Sequence, residues 1–325
     1  MDISVIIVSW NAKEYLRECL NSLVQELRGY DSEILVVDNA SSDGSDILIQ
    51  ESFPDCKLIQ TGKNLGFAKA NNIGIKESSG RYLFLINSDI TLLDGCIRKI
   101  LLFLEMNPAI GILGPQIINP DGYIQRSCME FPNLWNTLCN AIGAYRFSKS
   151  KLFGGQMMTY WKHDTTRRVD IINGCFWAIR RESLKQVGLL DERFFIYGED
   201  IDYCRRFNQA GWEVVFFPLA KAIHYQGASS SNAPVKFYME KEKANFQLWQ
   251  KYHNSLSQFF YLIILLLHHG IRITINLSLF WSVKKRESVI LKLKRSMASM
   301  GWLLKNGLKQ ISSINPNSEN PMIMR

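Results

Sequence analysis

Over the first 115 positions, apolar residues come in short unbroken runs separated by stretches of helical periodicity. Residues 3–8, 34–37, 57–59 and 82–86 read as strands. Between the first two, Tyr15, Leu16, Cys19, Leu20, Leu23 and Val24 recur at helical spacing, and a further helix is expected over 68–76. Strands alternating with helices predict a parallel sheet with right-handed crossovers. Central strands of such a sheet are covered on both faces, and ligands bind beyond their carboxyl ends. Three of those ends are polar: Ser9-Trp10-Asn11, Asp38-Asn39 and Asn87-Ser88-Asp89. Later, 212–217 reads as a strand closed by Pro218, with Ala222-Ile223-His224-Tyr225 following it.

Each polar end has a chemical and a plain reading. Asn87-Ser88-Asp89 is a hard-oxygen cluster suited to a divalent cation shared with a diphosphate, and it is also ordinary turn chemistry. Asp38 can accept hydrogen bonds from a nucleobase or ribose, or it can close an Asx turn or cap the next helix. A nicotinamide fingerprint is excluded, because residues 7–13 contain no glycine. A second cluster, Gly198-Glu199-Asp200-Ile201-Asp202, puts three carboxylates in the first turn of a helix. Their mutual repulsion favours a functional use over simple capping. His224 precedes a Gly-Ala-Ser-Ser-Ser loop of the kind that handles phosphate, and its imidazole suits Mn²⁺ or Mg²⁺ beside Asp89.

The last 70 residues are a different object. The apolar run 259–267 falls short of the ~20 residues of a spanning helix, and polar residues follow at once, so a clean transmembrane span is not expected. Residues 271–279 alternate apolar and polar like a strand between helical flanks, which leaves them unassigned. Val289, Ile290, Leu293, Met297, Met300, Leu304 and Leu308 recur at helical spacing beside Lys292, Arg295, Lys305 and Lys309, and residues 311–325 are expected to be disordered. Charge sharpens this picture. The chain of 325 residues carries +8, and residues 256–325 hold ten Lys/Arg against Glu287 and Glu319, while residues 1–255 balance at 28 against 28. Basic residues mixed with apolar runs point to an anionic membrane surface, making nucleic acid the weaker partner. The seven cysteines are scattered without a C-x-x-C pair, and the N-terminus leads directly into a strand, which fits a reducing compartment.

Taken together, residues 5–11, Val37-Asp38-Asn39-Ala40-Ser41-Ser42-Asp43-Gly44, Asn64-Leu65-Gly66-Phe67-Ala68, Asn87-Ser88-Asp89, Gly198-Glu199-Asp200-Ile201-Asp202 and His224-Tyr225-Gln226-Gly227-Ala228-Ser229 resemble the family-2 inverting glycosyltransferases of GT-A fold. The likeness is to the rhamnosyltransferase branch of bacterial surface-polysaccharide assembly and covers roughly 2–255. It implies an α/β catalytic domain over 1–235, with a nucleotide-sugar half to about 115 and an acceptor half over 116–235. A helical, basic extension over 236–325 would then lie on the cytoplasmic face of the plasma membrane. It also implies an Mg²⁺ or Mn²⁺ ion at Asp89 and His224, and Asp200 as catalytic base with Glu199 or Asp202 assisting. Donor contacts are implied from Ser9, Asn11, Asp38, Asn39, Asn64, Gly66, Asn71 and Ser88. The expected donor is dTDP-rhamnose, with other nucleotide sugars open, and the expected acceptor a lipid-linked glycan. A nucleotidyltransferase or a non-catalytic nucleotide-sugar-binding protein stands as the alternative. Two departures matter: Asn87 stands where the metal motif has a carboxylate, and Cys128-Met129-Glu130 replaces the basic residues often found before Phe131-Pro132.

Overall fold

A computed structural model describes residues 1–146, 150–225, 233–280 and 286–312. In chain order the elements are β1 (Ile3–Ser9), α1 (Lys13–Glu26), β2 (Ser32–Asp38), α2 (Ser45–Ser52), β3 (Lys57–Gln60), α3 (Phe67–Lys76), β4 (Tyr82–Asn87), β5 (Ile90–Leu92), α4 (Cys96–Met106) and β6 (Ile110–Ile118). There follow β7 (Ile124–Gln125), β8 (Cys128–Met129), α5 (Leu134–Ile142), α6 (Lys151–Gly154), β9 (Arg167–Arg168), β10 (Ile171–Ile172), β11 (Phe176–Arg180), α7 (Leu184–Val187), α8 (Glu199–Gln209) and β12 (Glu213–His224). Three helices complete the described chain: α9 (Pro234–Tyr252), α10 (Ser255–Ser278) and α11 (Arg286–Ser312).

The chain divides into two compact units, residues 1–131 with 155–232, and residues 132–154 with 233–325. The first holds the sheet, ordered β3-β2-β1-β4-β11-β6-β12-β5, with β7 on β6 and β9 on β12. Strands β3, β2, β1 and β4 run parallel, and β11 enters antiparallel between β4 and β6. The run 82–86 is buried throughout, as expected of a strand covered on both faces. Beside it α1 buries Leu16, Cys19, Leu20 and Leu23, whereas Tyr15 and Val24 at the edges of the stripe stay exposed.

Strand β12 corrects the sequence reading. It does not stop at Pro218: pairing with β6 jumps from Phe217↔Pro115 to Lys221↔Gln116, so Pro218, Leu219 and Ala220 form a bulge and the strand resumes. A bulge needs no ladder N–H, which is why proline is tolerated there. Beyond it β12 pairs antiparallel with β5, setting His224 opposite Ile90.

In the second unit, Phe246, Trp249, Tyr261, Leu262, Leu265 and Leu303 form a small core, with Trp249 and Tyr261 stacked at 4.3 Å. Residues 271–279 are helical, not extended, up to the cap at Leu279. Nothing there breaks the helix, and Thr274 and Asn276 bond back to the carbonyls of Gly270 and Arg272. The short apolar run therefore belongs to one 24-residue helix, α10, which by length and composition could cross a membrane. Helix α11 buries Val289, Leu293 and Leu303 with the small Ser296 and Ser299, and leaves Met297, Leu304 and Leu308 exposed. Ile311 and Ser312, expected to be disordered, continue that helix, and 313–325 lie outside the described residues.

Candidate active site

Parallel pairing brings the three polar strand ends together: Ser9 lies opposite Asp38, and Val8 opposite Asn87. All three ends carry a buried side-chain oxygen with no protein partner, namely Ser9 Oγ, Asp38 Oδ1 and Asn87 Oδ1. A buried acceptor or hydroxyl left unpaired costs about 1–3 kcal/mol, and three such atoms stand together at these strand ends. Asp38 closes the turn that its plain reading expects. Its Oδ2 accepts from the Ser41 amide at 3.2 Å, closing a turn, and its Oδ1 is left over.

The surrounding loops are braced by several of the residues expected to contact the donor. Asn11, at φ 50°, accepts from the Ser42 amide at 2.7 Å, and Ala40 at φ 66° continues the same strained loop. Asn39 donates to Asn64 Oδ1 at 3.0 Å and accepts from the Leu65 amide at 2.8 Å, while Asn64 also accepts from the Gly66 amide. Asn71 bonds back to the Phe67 carbonyl inside α3, and Ser88 is buried. Gly66, at φ 84°, is dictated by packing: a Cβ would collide with the Phe195 carbonyl oxygen, which accepts from the Phe67 amide at 2.6 Å. Asn72, which sequence reasoning passed over, extends that seam by pairing both ways with Leu190 at 2.9 and 3.0 Å.

Asp89 and His224, 135 positions apart, meet at 3.2 Å because β5 pairs with the end of β12 and the Tyr225 amide donates to the Asp89 carbonyl. Burial would lower the pKa of His224, but hydrogen bonds to Asp89 and Cys175 outweigh it and push it up to about 10. The other ring nitrogen, Nδ1, lies 3.2 Å from buried Gln125 Oε1 on β7. With its pKa raised that far the ring is an imidazolium, Nδ1–H toward Gln125 and Nε2–H toward Asp89, so a metal ion at Nε2 would have to displace a proton. Gln125 was not legible in the sequence, since nothing local says that β7 reaches His224. The phosphate-handling loop expected after Tyr225, including Gln226, Gly227, Ala228 and Ser229, lies outside the described residues.

Helix α8 opens at Glu199 after Gly198 at φ 83°, and no side chain caps it. Its three carboxylates part company, as successive residues 100° apart on a helix must. Asp202 is fully buried and pairs with Arg206 at 2.9 Å. Glu199 is buried with Oε2 unpartnered; desolvation, and then Asp200 and Asp202, hold its carboxyl well above the usual carboxylate range. Asp200 is partly open, its Oδ1 accepting from the Ile201 amide at 2.9 Å. A Cβ on Gly174 would lie 3.6 Å from the Asp200 Cβ, and the neighbouring Cys175 carbonyl accepts from the Asn87 amide at 2.9 Å. Asp200 is thereby linked to the strand ends through residues 174–175.

Among the described residues no three His, Cys, Asp or Glu side chains form a metal cluster. Asp89 and His224 instead form a carboxylate–imidazole pair beside the orphaned Asn87 oxygen. That donor set fits Mg²⁺ or Mn²⁺, which takes few protein ligands and fills its shell with water and phosphate oxygens.

Comparison with known proteins places the chain among glycosyltransferases. The chain is 27% identical over 259 residues to an N-acetylglucosaminyl-diphospho-decaprenol L-rhamnosyltransferase of Mycobacterium tuberculosis, covering 75% of this chain and 82% of that one. It is 26% identical over 270 residues to the dTDP-rhamnosyl transferase RfbF of Shigella flexneri, covering 78% and 82%. Among solved structures, the mannosyltransferase PcManGT from Pyrobaculum calidifontis in complex with GDP-Man and Mn²⁺ superposes with a TM-score of 0.51 at 15% identity, covering 93% and 86%. S. aureus TarS 1-349 in complex with UDP-GlcNAc gives 0.50 at 16%, covering 96% and 89%. The shared architecture is a GT-A-like α/β fold. Residues 4–188, more than half the chain, match the family described as Glycosyl transferase family 2, and the protein belongs to that family.

Proposed function

We propose that this glycosyltransferase moves rhamnose, with inversion, from dTDP-rhamnose to a hydroxyl of a lipid-linked glycan at the cytoplasmic face of the plasma membrane. The observation that carries the reading is the set of unpaired oxygens at Ser9, Asp38 and Asn87 beside the Asp89–His224 pair. The donor sugar and the lipid-linked acceptor are argued from the names of the two rhamnosyltransferase relatives.

Asp38 Oδ1 and Ser9 Oγ receive the nucleoside, whose base and ribose offer N–H and O–H groups. Asp89 and His224 would hold a divalent ion, His224 giving up its Nε2 proton to do so, while Gln125 beside Nδ1 orients the ring. When bound, that ion supplies Lewis-acid stabilisation of the departing diphosphate. Asp200 removes the proton of the acceptor hydroxyl as its oxygen bonds the anomeric carbon and the bond to the diphosphate oxygen breaks. Burial raises the Glu199 carboxyl well above the usual range, which disfavours a second negative charge beside the base. Asp202 anchors the helix through Arg206.

Purified protein incubated with a panel of nucleotide sugars and a lipid-linked glycan should release dTDP from dTDP-rhamnose, and a chelator should abolish the release. Release from another nucleotide sugar alone reassigns the donor, and no release from any overturns the reading. Asp89→Ala should weaken Mn²⁺-dependent binding of dTDP at least tenfold in calorimetric titration, with metal-free binding little changed.

A further inference from the structure

The second unit leaves two apolar stripes uncovered on helices that pack against each other, α5 and α10. Trp135 and Ile142 sit two turns apart on α5, about half exposed, and Leu152 of α6 is more so. The Trp135 indole N–H donates to the Leu152 carbonyl at 2.8 Å, so the ring stands exposed with its polar atom satisfied. On α10, Phe259, Phe260 and Ile263 are exposed, and only 28% of the helix's most apolar stretch is buried. Exposed aromatic and aliphatic side chains on two packed helices offer a surface for a partner.

Charge identifies the partner. Residues 132–154 and 233–325 carry 17 Lys/Arg against four Asp/Glu, and the remainder of the chain carries 21 against 26. The second unit is therefore +13 and the first −5. The insert alone contributes Arg146, Lys149 and Lys151 with no acid. Aromatic and aliphatic side chains set among excess cations match the boundary of an anionic bilayer, where rings enter the headgroup layer and Lys/Arg meet lipid phosphates.

We propose that residues 132–154, an insert between two strands of the catalytic unit, form with α10 a platform that seats on an anionic membrane. This rests on the membrane placement proposed above. What it adds is that lipid is met by a segment from the middle of the sequence, which begins just after Phe131.

The test uses the full chain and vesicles of phosphatidylcholine with or without phosphatidylglycerol. Trp135→Ser/Leu152→Ser and Phe259→Ser/Phe260→Ser should each weaken sedimentation with anionic vesicles about tenfold or more. Arg146→Gln should weaken it about fivefold on anionic vesicles and leave neutral ones unaffected. Nucleotide-diphosphate titration reports that the first unit is intact in each variant. An environment-sensitive fluorophore on Ile142→Cys should shift to the blue on vesicles, a readout that does not depend on the serine variants folding. An unshifted spectrum, or insert variants that bind like wild type while the α10 pair weakens, overturns the proposal and leaves the membrane placement standing. If wild type binds no vesicles, both fall. If lipid-free wild type is a dimer that the insert variants dissociate while vesicle binding is unchanged, the stripe belongs to a second copy and the proposal is overturned.

Discussion

At the scale of single residues, the three carboxylates of α8 have one sequence context and three environments. Asp200 is the partly open one, tied through Gly174 and Cys175 to the strand ends, so Asp200→Asn should lower turnover ~10²–10⁴-fold while dTDP affinity stays nearly constant. Stopped-time kinetics beside calorimetry separates the two quantities. Glu199 supplies a pH signature. Burial, and then Asp200 and Asp202, raise its carboxyl well above the usual range in the fold, whereas it ionises near its ordinary value, about 4.3, when unfolded. Between that value and the raised folded one the native state binds more protons, so stability must fall as pH rises. Glu199→Gln removes the effect: denaturant midpoints of wild type should drop relative to the variant as pH rises above about 4.3, the unfolded value. Parallel midpoints across that range would place an ionised Glu199 in the fold.

At the scale of elements, the seam between α3 and the segment before α8 joins the donor-side loops to the helix that carries the proposed base. Gly66→Ala should cost about 1–3 kcal/mol in equilibrium unfolding, because the residue must hold φ 84° while its new methyl group meets Phe195. What the sequence disclosed of this region follows from how local each signal is. Strand ends were legible because unbroken apolar runs stop at polar triplets, as at Ile86-Asn87 and Val37-Asp38. The carboxylate cluster was legible because three like charges in one turn demand an explanation. Gln125, Asn72 and Phe195 were not, since each acts on a partner about 100 or more positions away through pairing that no local period encodes. Strand β12 was cut short at Pro218 because a bulge looks, residue by residue, like a strand end. Residues 271–279 alternated like a strand and proved helical, since α10 is fixed by packing of its buried side rather than by the pattern of its exposed one.

At the scale of the whole molecule, the basic excess seen in the last 70 residues is wider than the tail. It includes the insert at 132–154, and the balance of residues 1–255 conceals a negative first unit. A chain ended after Ser255 should therefore not be a clean soluble catalytic unit. It strips Tyr261, Leu262, Leu265 and Leu303 from Phe246 and Trp249, and leaves α5 without α10. Size-exclusion chromatography should show it aggregated, and deleting the insert and 233–325 together should restore a monodisperse, dTDP-binding species. That discontinuity also sets an order in time. The ribosome makes α5 and α6 more than a hundred residues before the middle of α10, so at about 5–20 residues per second the insert waits on the order of 5–20 s for its partner. Through that interval the side of α5 against which α10 later packs is open to chaperones, and making α10 closes it. Pulse-labelled chains halted within α9 should stay chaperone-bound, while those carried through α11 should not.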